Sequence, residues 1–243
     1  MEFCRIHLDE VDSTNNYAAN WLDVTKSVHA AVITARHQHQ GRGQRQNHWI
    51  SEKNQNLTCS FIVFPQNTKV EKASYLNKAI ANAVHQTCLH FLTSKVDIKW
   101  PNDIWVQGKK IAGILIENNW RSQILQHSII GVGMNINQNF TPHDPWCSLH
   151  SISKQYFEIE IICNYLESQI CNQLALMEQF NFQIIDEYYH DHLLKKNALV
   201  SFQMNGSQFT GTIQGVDEWG RIIIQSKDGK NAFQQGEVVI QYH

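Results

Sequence analysis

The spacing of apolar and polar positions changes several times along this chain of 243 residues, and each change marks an element. Residues 3–8 alternate as a strand does. Asp12-Ser13-Thr14-Asn15-Asn16 then opens a helix to about Leu22, with Tyr17, Ala18, Trp21 and Leu22 as its apolar stripe. Apolar runs at 30–35 and 57–64 predict buried strands. Between 71 and 92, Leu76, Ala79, Ile80, Ala83, Val84, Thr87, Cys88 and Phe91 recur every three or four positions, which predicts a core-facing helix. Residues 96–99, a turn at Trp100-Pro101-Asn102-Asp103, residues 104–106, a Gln107-Gly108 turn and residues 109–117 read as neighbouring strands, with 123–132 as the next. Short connections of this kind predict an α+β fold with a mixed or antiparallel sheet, not a doubly wound parallel one.

Residues 139–153 read as a loop, and 158–179 and 180–194 as helices. After 195 the texture changes to short strands at 199–202, 208–216, 221–225, 231–234 and 238–242, punctuated by Gly206, Gly220 and Gly229. That pattern predicts a β-barrel of roughly 45 residues, too small to be stable undocked. Two domains are expected, 1–195 and 196–243.

Composition narrows the class. A hydrophobic fraction of 42% and a charged fraction of 17% suit a globular chain. A net charge of -2 gives no broad basic field, so nucleic acid is not the default partner. The N-terminus is no signal peptide, and the apolar runs fall short of the roughly 20 residues that span a bilayer. Six scattered cysteines with no CxxC pair fit reduced thiols in a cytoplasm.

Four groups could carry chemistry: Ser13-Thr14-Asn15, the loop 38–49, residues 99–113, and Gly131–Asn135. The loop, Gln38-His39-Gln40-Gly41-Arg42-Gly43-Gln44-Arg45-Gln46-Asn47-His48-Trp49, offers glycines for close backbone approach and arginines for a forked positive charge, as an anion-wrapping loop needs. Each group also has a plainer reading: a helix cap, a flexible loop, solvated lysines, a strand end. His37-x-His39 and His190-Asp191-His192 lack further ligands at metal-binding spacing and read as polar surface.

Lys99-Trp100-Pro101-Asn102-Asp103 followed by Lys109-Lys110-Ile111-Ala112-Gly113 resembles the biotin protein ligase family. Ser13-Thr14-Asn15, Gln38-x-x-Gly41-Arg42-Gly43 closed by Trp49, Gly131-x-Gly133-x-Asn135 and the C-terminal strands match its other signatures, so the resemblance covers almost the whole chain. It implies a class II synthetase-like catalytic domain with an SH3-like C-terminal barrel. It also implies a two-step reaction in which biotin and ATP give biotinyl-adenylate and the acyl group passes to a lysine of a biotin carboxyl carrier protein, by default that of acetyl-CoA carboxylase. Magnesium is expected with ATP. By this match Lys110 reaches the carboxylate and α-phosphate, Arg42 and Arg45 cover the phosphate, and Gly41 and Gly43 admit backbone amides. Ser13, Thr14, Asn15 and Gln38 bind the biotin head, Gly113 and Gly131 keep the tail channel open, and Trp49 is a wall. Gln44 and Asn135 lie toward the nucleotide, and Asp103 orients Lys110 or accepts a proton.

Two departures stand out. The family commonly has arginine after its Gly-Arg-Gly, which helps retain the adenylate; here Gln44 stands there and the charge moves to Arg45. Glycine is common where this chain has Gln46. Either Arg45 supplies the missing charge or the adenylate is held more loosely. Many relatives carry an N-terminal helix-turn-helix; this chain begins at the first catalytic strand, so no DNA binding is expected, and a homodimer stays open. The competing readings are a lipoate or octanoate ligase or transferase of the same fold, and a non-catalytic biotin- or nucleotide-binding regulator.

Overall fold

In a computed structural model, which describes residues 2–45, 47–66 and 68–242, the strand Asn56–Val63 is buried along its whole length inside a seven-stranded sheet. The strands are β1 (Cys4–Val11), β2 (Ala31–Gln38), β3 (Asn56–Val63), β4 (Val96–Lys99), β5 (Asp103–Val106), β6 (Lys109–Arg121) and β7 (Ile124–Asn135), in the order β1-β2-β3-β7-β6-β5-β4. Only the β1–β2 pair is parallel, so the sheet is mixed, as the short connections predict.

Alternation along the strands gives the sheet two different faces. One packs Ile33, Ile62 and Ile129 against Ala18 and Leu22 of α1 (Thr14–Thr25). The other packs Leu57, Phe61, Ile130 and Val132 with α2 (Ala73–Phe91) and α4 (Ile159–Glu178). Within the expected loop at 139–153 lies a short helix, α3 (Leu149–Ser153), closed by a reciprocal capping box between Ser148 and Ser151. The helix expected over 180–194 is shorter, α5 (Phe182–Asp191).

The expected barrel is present as a five-stranded antiparallel sheet, β8 (Leu199–Met204), β9 (Ser207–Val216), β10 (Ile222–Ser226), β11 (Gly229–Phe233) and β12 (Val239–Gln241), ordered β11-β10-β9-β8-β12. Among the described residues no ladder joins its outer strands. Its Val200, Phe202, Ile213 and Ile224 belong to the same apolar core as Leu76, Ile98 and Ile104.

Polar contacts reinforce that junction. Lys78, with a side chain 3% exposed, reaches Asp186 at 2.5 Å and donates to the carbonyls of Val216 (3.1 Å) and Asp217 (3.2 Å). His190 lies 3.2 Å from Asp186 and accepts from Val216 N–H at 2.8 Å, so this histidine joins α5 to the C-terminal sheet. Trp100 donates its indole N–H to Gly220 O at 2.9 Å.

Candidate active site

Strand register assembles the site on the face that carries α1. Ser60 pairs with Gly131, and Gly131 with Leu115; Thr58 pairs with Gly133, and Gly133 with Gly113. The result is a floor of small residues, onto which the N-terminus of α1, the 38–49 loop and the β5–β6 hairpin converge. They enclose a cavity of about 230 Å³. Ser13, Thr14, Asn15, Gln38, Arg42, Gly43, Gln44, Trp49, Asp103, Lys110, Gly113 and Gly131 all line it.

The end formed by α1 is a closed polar network. Ser13 occupies the N-cap position with extended backbone, yet its side chain makes no cap bond and faces the cavity. The plain capping reading of Ser13 therefore fails. Gln38 Oε1 accepts from Thr14 N–H (2.7 Å) and hydroxyl (3.0 Å). Ser60 Oγ lies 2.7 Å from Thr14 Oγ1 and 2.6 Å from Asn15 Oδ1, and Asn15 Nδ2 donates to Glu117 at 2.7 Å. These groups are buried and satisfied, which fixes their orientation.

The opposite end is cationic. Lys110 Nζ lies 2.7 Å from Asp103 Oδ1 and 5.6 Å from the centre of the Trp49 ring. The hairpin register sets Asp103 opposite Gly113 and Lys110 opposite Trp105 across a bulge, and backbone bonds from Lys110 to Pro145 and Cys147 hold the β6 side. Arg42 donates to Glu117 Oε1 at 2.6 Å and to Asn16 Oδ1 at 2.7 Å. Glu117, to which no sequence signature assigns a role, joins Arg42 of the loop to Asn15 of the polar end. Lys99 also lines the cavity without an assigned role. Its ammonium lies 4.0 Å from the Trp105 ring centre and 5.1 Å from that of Tyr242, and among the described residues it makes no ion pair. Burial pushes its pKa down, Asp103 opposes that shift, and Lys110 adds to it.

The glycines admit close contacts with side chains of the site. A Cβ on Gly131 would overlap Asn15 Oδ1, and one on Gly113 would stand 2.9 Å from Lys110 Nζ. Gly133 has the Trp49 ring laid on it. Glycine at these positions lets Asn15, Lys110 and Trp49 lie directly on the strands. Gly41 and Gly43 serve the loop itself, which folds back through Trp49 N–H to Gly41 O (2.9 Å) and Gly43 N–H to Asn47 O (2.8 Å).

Two expected ligand contacts are placed elsewhere. Asn135 is buried, donates to Cys147 O at 3.0 Å and does not line the cavity. Arg45 is not among the lining residues and donates to the carbonyl of Gln235. Gln46 lies outside the described residues.

A polar end that can read a small heterocycle, a cationic end that can neutralise two anions, and a glycine-arginine loop between them define an acyl-activating ligase site. The family model for the biotin/lipoate A/B protein ligase family matches residues 8–135, and the chain belongs to that family. It is 33% identical to the bifunctional ligase/repressor BirA of Bacillus spizizenii over 231 residues, covering 92% of this chain and 70% of that protein. It is 23% identical to the biotin--[acetyl-CoA-carboxylase] ligase of Paracoccus denitrificans, covering 95% of this chain and 98% of that one. In fold it resembles the biotin protein ligase from Aquifex aeolicus in complex with biotin and ATP, with a TM-score of 0.81, 24% identity and 98% coverage of both chains.

Proposed function

We propose that this chain is an ATP-dependent biotin protein ligase. It joins biotin to AMP and then passes the biotinyl group to a lysine of a biotin carboxyl carrier protein, the acetyl-CoA carboxylase subunit being the default carrier. The observation that carries this reading is one glycine-floored cavity with the Lys110–Asp103 pair on one side and, on the other, the Gln38–Thr14–Ser60–Asn15 network, to which Glu117 ties Arg42.

In the first step a biotin carboxylate oxygen attacks the α-phosphorus of ATP, and the bond to the departing pyrophosphate breaks. Two anions must approach, and Lys110, Arg42 and Lys99 supply the positive field that permits it. Lys110 bridges carboxylate and α-phosphate. Thr14 and Gln38 are already bonded to one another, and together with Ser13 they present fixed donors and acceptors to the ureido ring. The Trp49 indole N–H is buried without a hydrogen-bond partner and is a donor for the same ligand. In the second step the carrier's amine nitrogen attacks the acyl carbon, the bond to AMP breaks, and Asp103 takes the ammonium proton.

Among the described residues no three His, Cys, Asp or Glu come together as a metal site. Magnesium would arrive with ATP, on the triphosphate. Residues 1–195 carry the chemistry and 196–243 cover one side of it. Asn135 holds Cys147 and, with it, the segment that bonds the backbone of Lys110.

Incubation with labelled biotin, MgATP and a carrier domain tests the reading. Pyrophosphate and carrier labelling are expected with biotin. Activity with lipoate or octanoate instead would move the chain to the other branch of its family, and ligand binding without pyrophosphate would make it a regulator.

A further inference from the structure

The tip of the 38–49 loop ends on one distant residue. Gln44 Oε1 accepts from Gln235 Nε2 at 2.5 Å, and Arg45 donates to the Gln235 backbone carbonyl. Gln235 lies between β11 and β12, about 190 positions along the chain, and itself lines the cavity. Two backbone features serve this meeting. Arg45 has φ 60°, in the left-handed region that arginine seldom adopts, and its guanidinium occupies the space where a side chain on Gly236 would begin. Gly236 has φ 91°, so glycine suits that position twice over.

The rest of the loop shows why this contact matters. Its base is held to β6 through Arg42 and Glu117. Its apex places a neutral amide, Gln44, on the cavity wall, while the neighbouring cation, Arg45, is committed to the backbone carbonyl of Gln235. In the ligand-free chain the Arg45 guanidinium is thus engaged with the protein itself. Retention of an anionic intermediate must depend on how firmly the loop stays down.

We propose that Gln235 is a positioning residue that latches the 38–49 loop over the cavity, so that the C-terminal sheet sets how long the activated acyl-adenylate stays bound. This rests on the ligase reading for its consequence, but the latch itself is a property of the ligand-free chain. Gln235 acts through Gln44 and Arg45.

The test uses the full chain and two readouts. The first is hydrogen exchange of the loop amides without ligand. Gln235→Ala removes the bond to Gln44, a neutral hydrogen bond of a strength that corresponds to a roughly 2- to 10-fold change. Exchange at Gly43 and Trp49 is expected to accelerate by that factor, with β3 amides unchanged. The second readout is the half-life of enzyme-bound adenylate, formed from labelled biotin and MgATP and followed after removal of free ligand. Gln235→Ala and Arg45→Ala should each shorten it by a similar factor. Gln44→Lys combined with Gln235→Glu should restore both protection and half-life relative to either single variant, which a general loss of packing would not do. Unchanged loop exchange in Gln235→Ala, or no restoration in the charge pair, overturns the latch. If the parent makes no adenylate, the ligase reading fails, and exchange alone still decides the latch.

Discussion

Asn15 and Gly131 compete for one volume: the Asn15 carboxamide lies where any side chain at 131 would begin. From there it touches Ser60 on one side and Glu117 on the other, and Glu117 holds Arg42. A single absent methyl group thus connects the polar end of the site to its covering loop. Gly131→Ala must displace the asparagine, and overpacking of this kind costs roughly 1–3 kcal/mol. The expected result is a lower melting temperature and biotin binding weaker by roughly 5- to 150-fold, since about 1.4 kcal/mol is a factor of ten. Calorimetric titration giving the parent affinity would refute the role of Asn15.

Lys110 and Asp103 are close partners, and the proposed reaction gives them different steps. Lys110→Ala removes a cation from the point where two anions meet and should slow adenylate formation by about 10²–10³-fold. Asp103→Asn leaves that cation in place. It should slow transfer to the carrier more than it slows pyrophosphate release, measured separately in single turnovers. Equal slowing of both steps would assign Asp103 to orientation alone.

His85 carries a pH dependence of stability. Burial pushes its pKa down to about 4, against the ordinary 6.5, while its Nε2 contact with Val96 O at 3.0 Å works the other way. The neutral ring is therefore favoured in the folded state. Its contribution is complete above pH 6.5 and is lost as pH falls from 6.5 to 4, because the unfolded chain binds the proton first. The full loss is about 3 kcal/mol by linkage. Denaturant midpoints should decline over that window in the parent, and His85→Gln should flatten the decline. A parallel decline in both proteins would sink the assignment.

Ligand entry should require movement of Trp49. The cavity holds about 230 Å³, below the roughly 300–1,000 Å³ of ordinary small-molecule pockets, because the indole lies on Gly133. Biotin association is expected to saturate with concentration at the rate of loop opening, and Trp49→Ala should remove the saturation while speeding biotin release. A linear dependence up to high biotin in the parent would show a loop that is already open.

Much of this was legible in order along the chain. The β5–β6 hairpin follows from alternation on either side of Gln107-Gly108, and Lys110 and Asp103 meet because that register leaves them little choice. The helix stripe of α2 reads directly as its buried face. The short helix at Leu149–Ser153 escaped because two proline-bearing turns precede it and its capping box uses serine where glutamate is the usual signal. Ser60 and Glu117 escaped for another reason. Each looks like an ordinary strand residue until the register lays it beside Asn15. Gln235 could not be read at all, since nothing local ties a turn between β11 and β12 to a loop near residue 45. Asn135 shows the reverse: its motif was plain, but the motif does not say whether a side chain faces a ligand or a carbonyl.

The core described above runs without a break from Leu76 and Ile98 through Val200, Phe202 and Ile213. Such a chain has no separate melting unit at its C-terminal end. Calorimetry should give one transition, and damage to the small sheet should be felt as lower abundance of the whole enzyme in a cell, before any defect in its chemistry is visible.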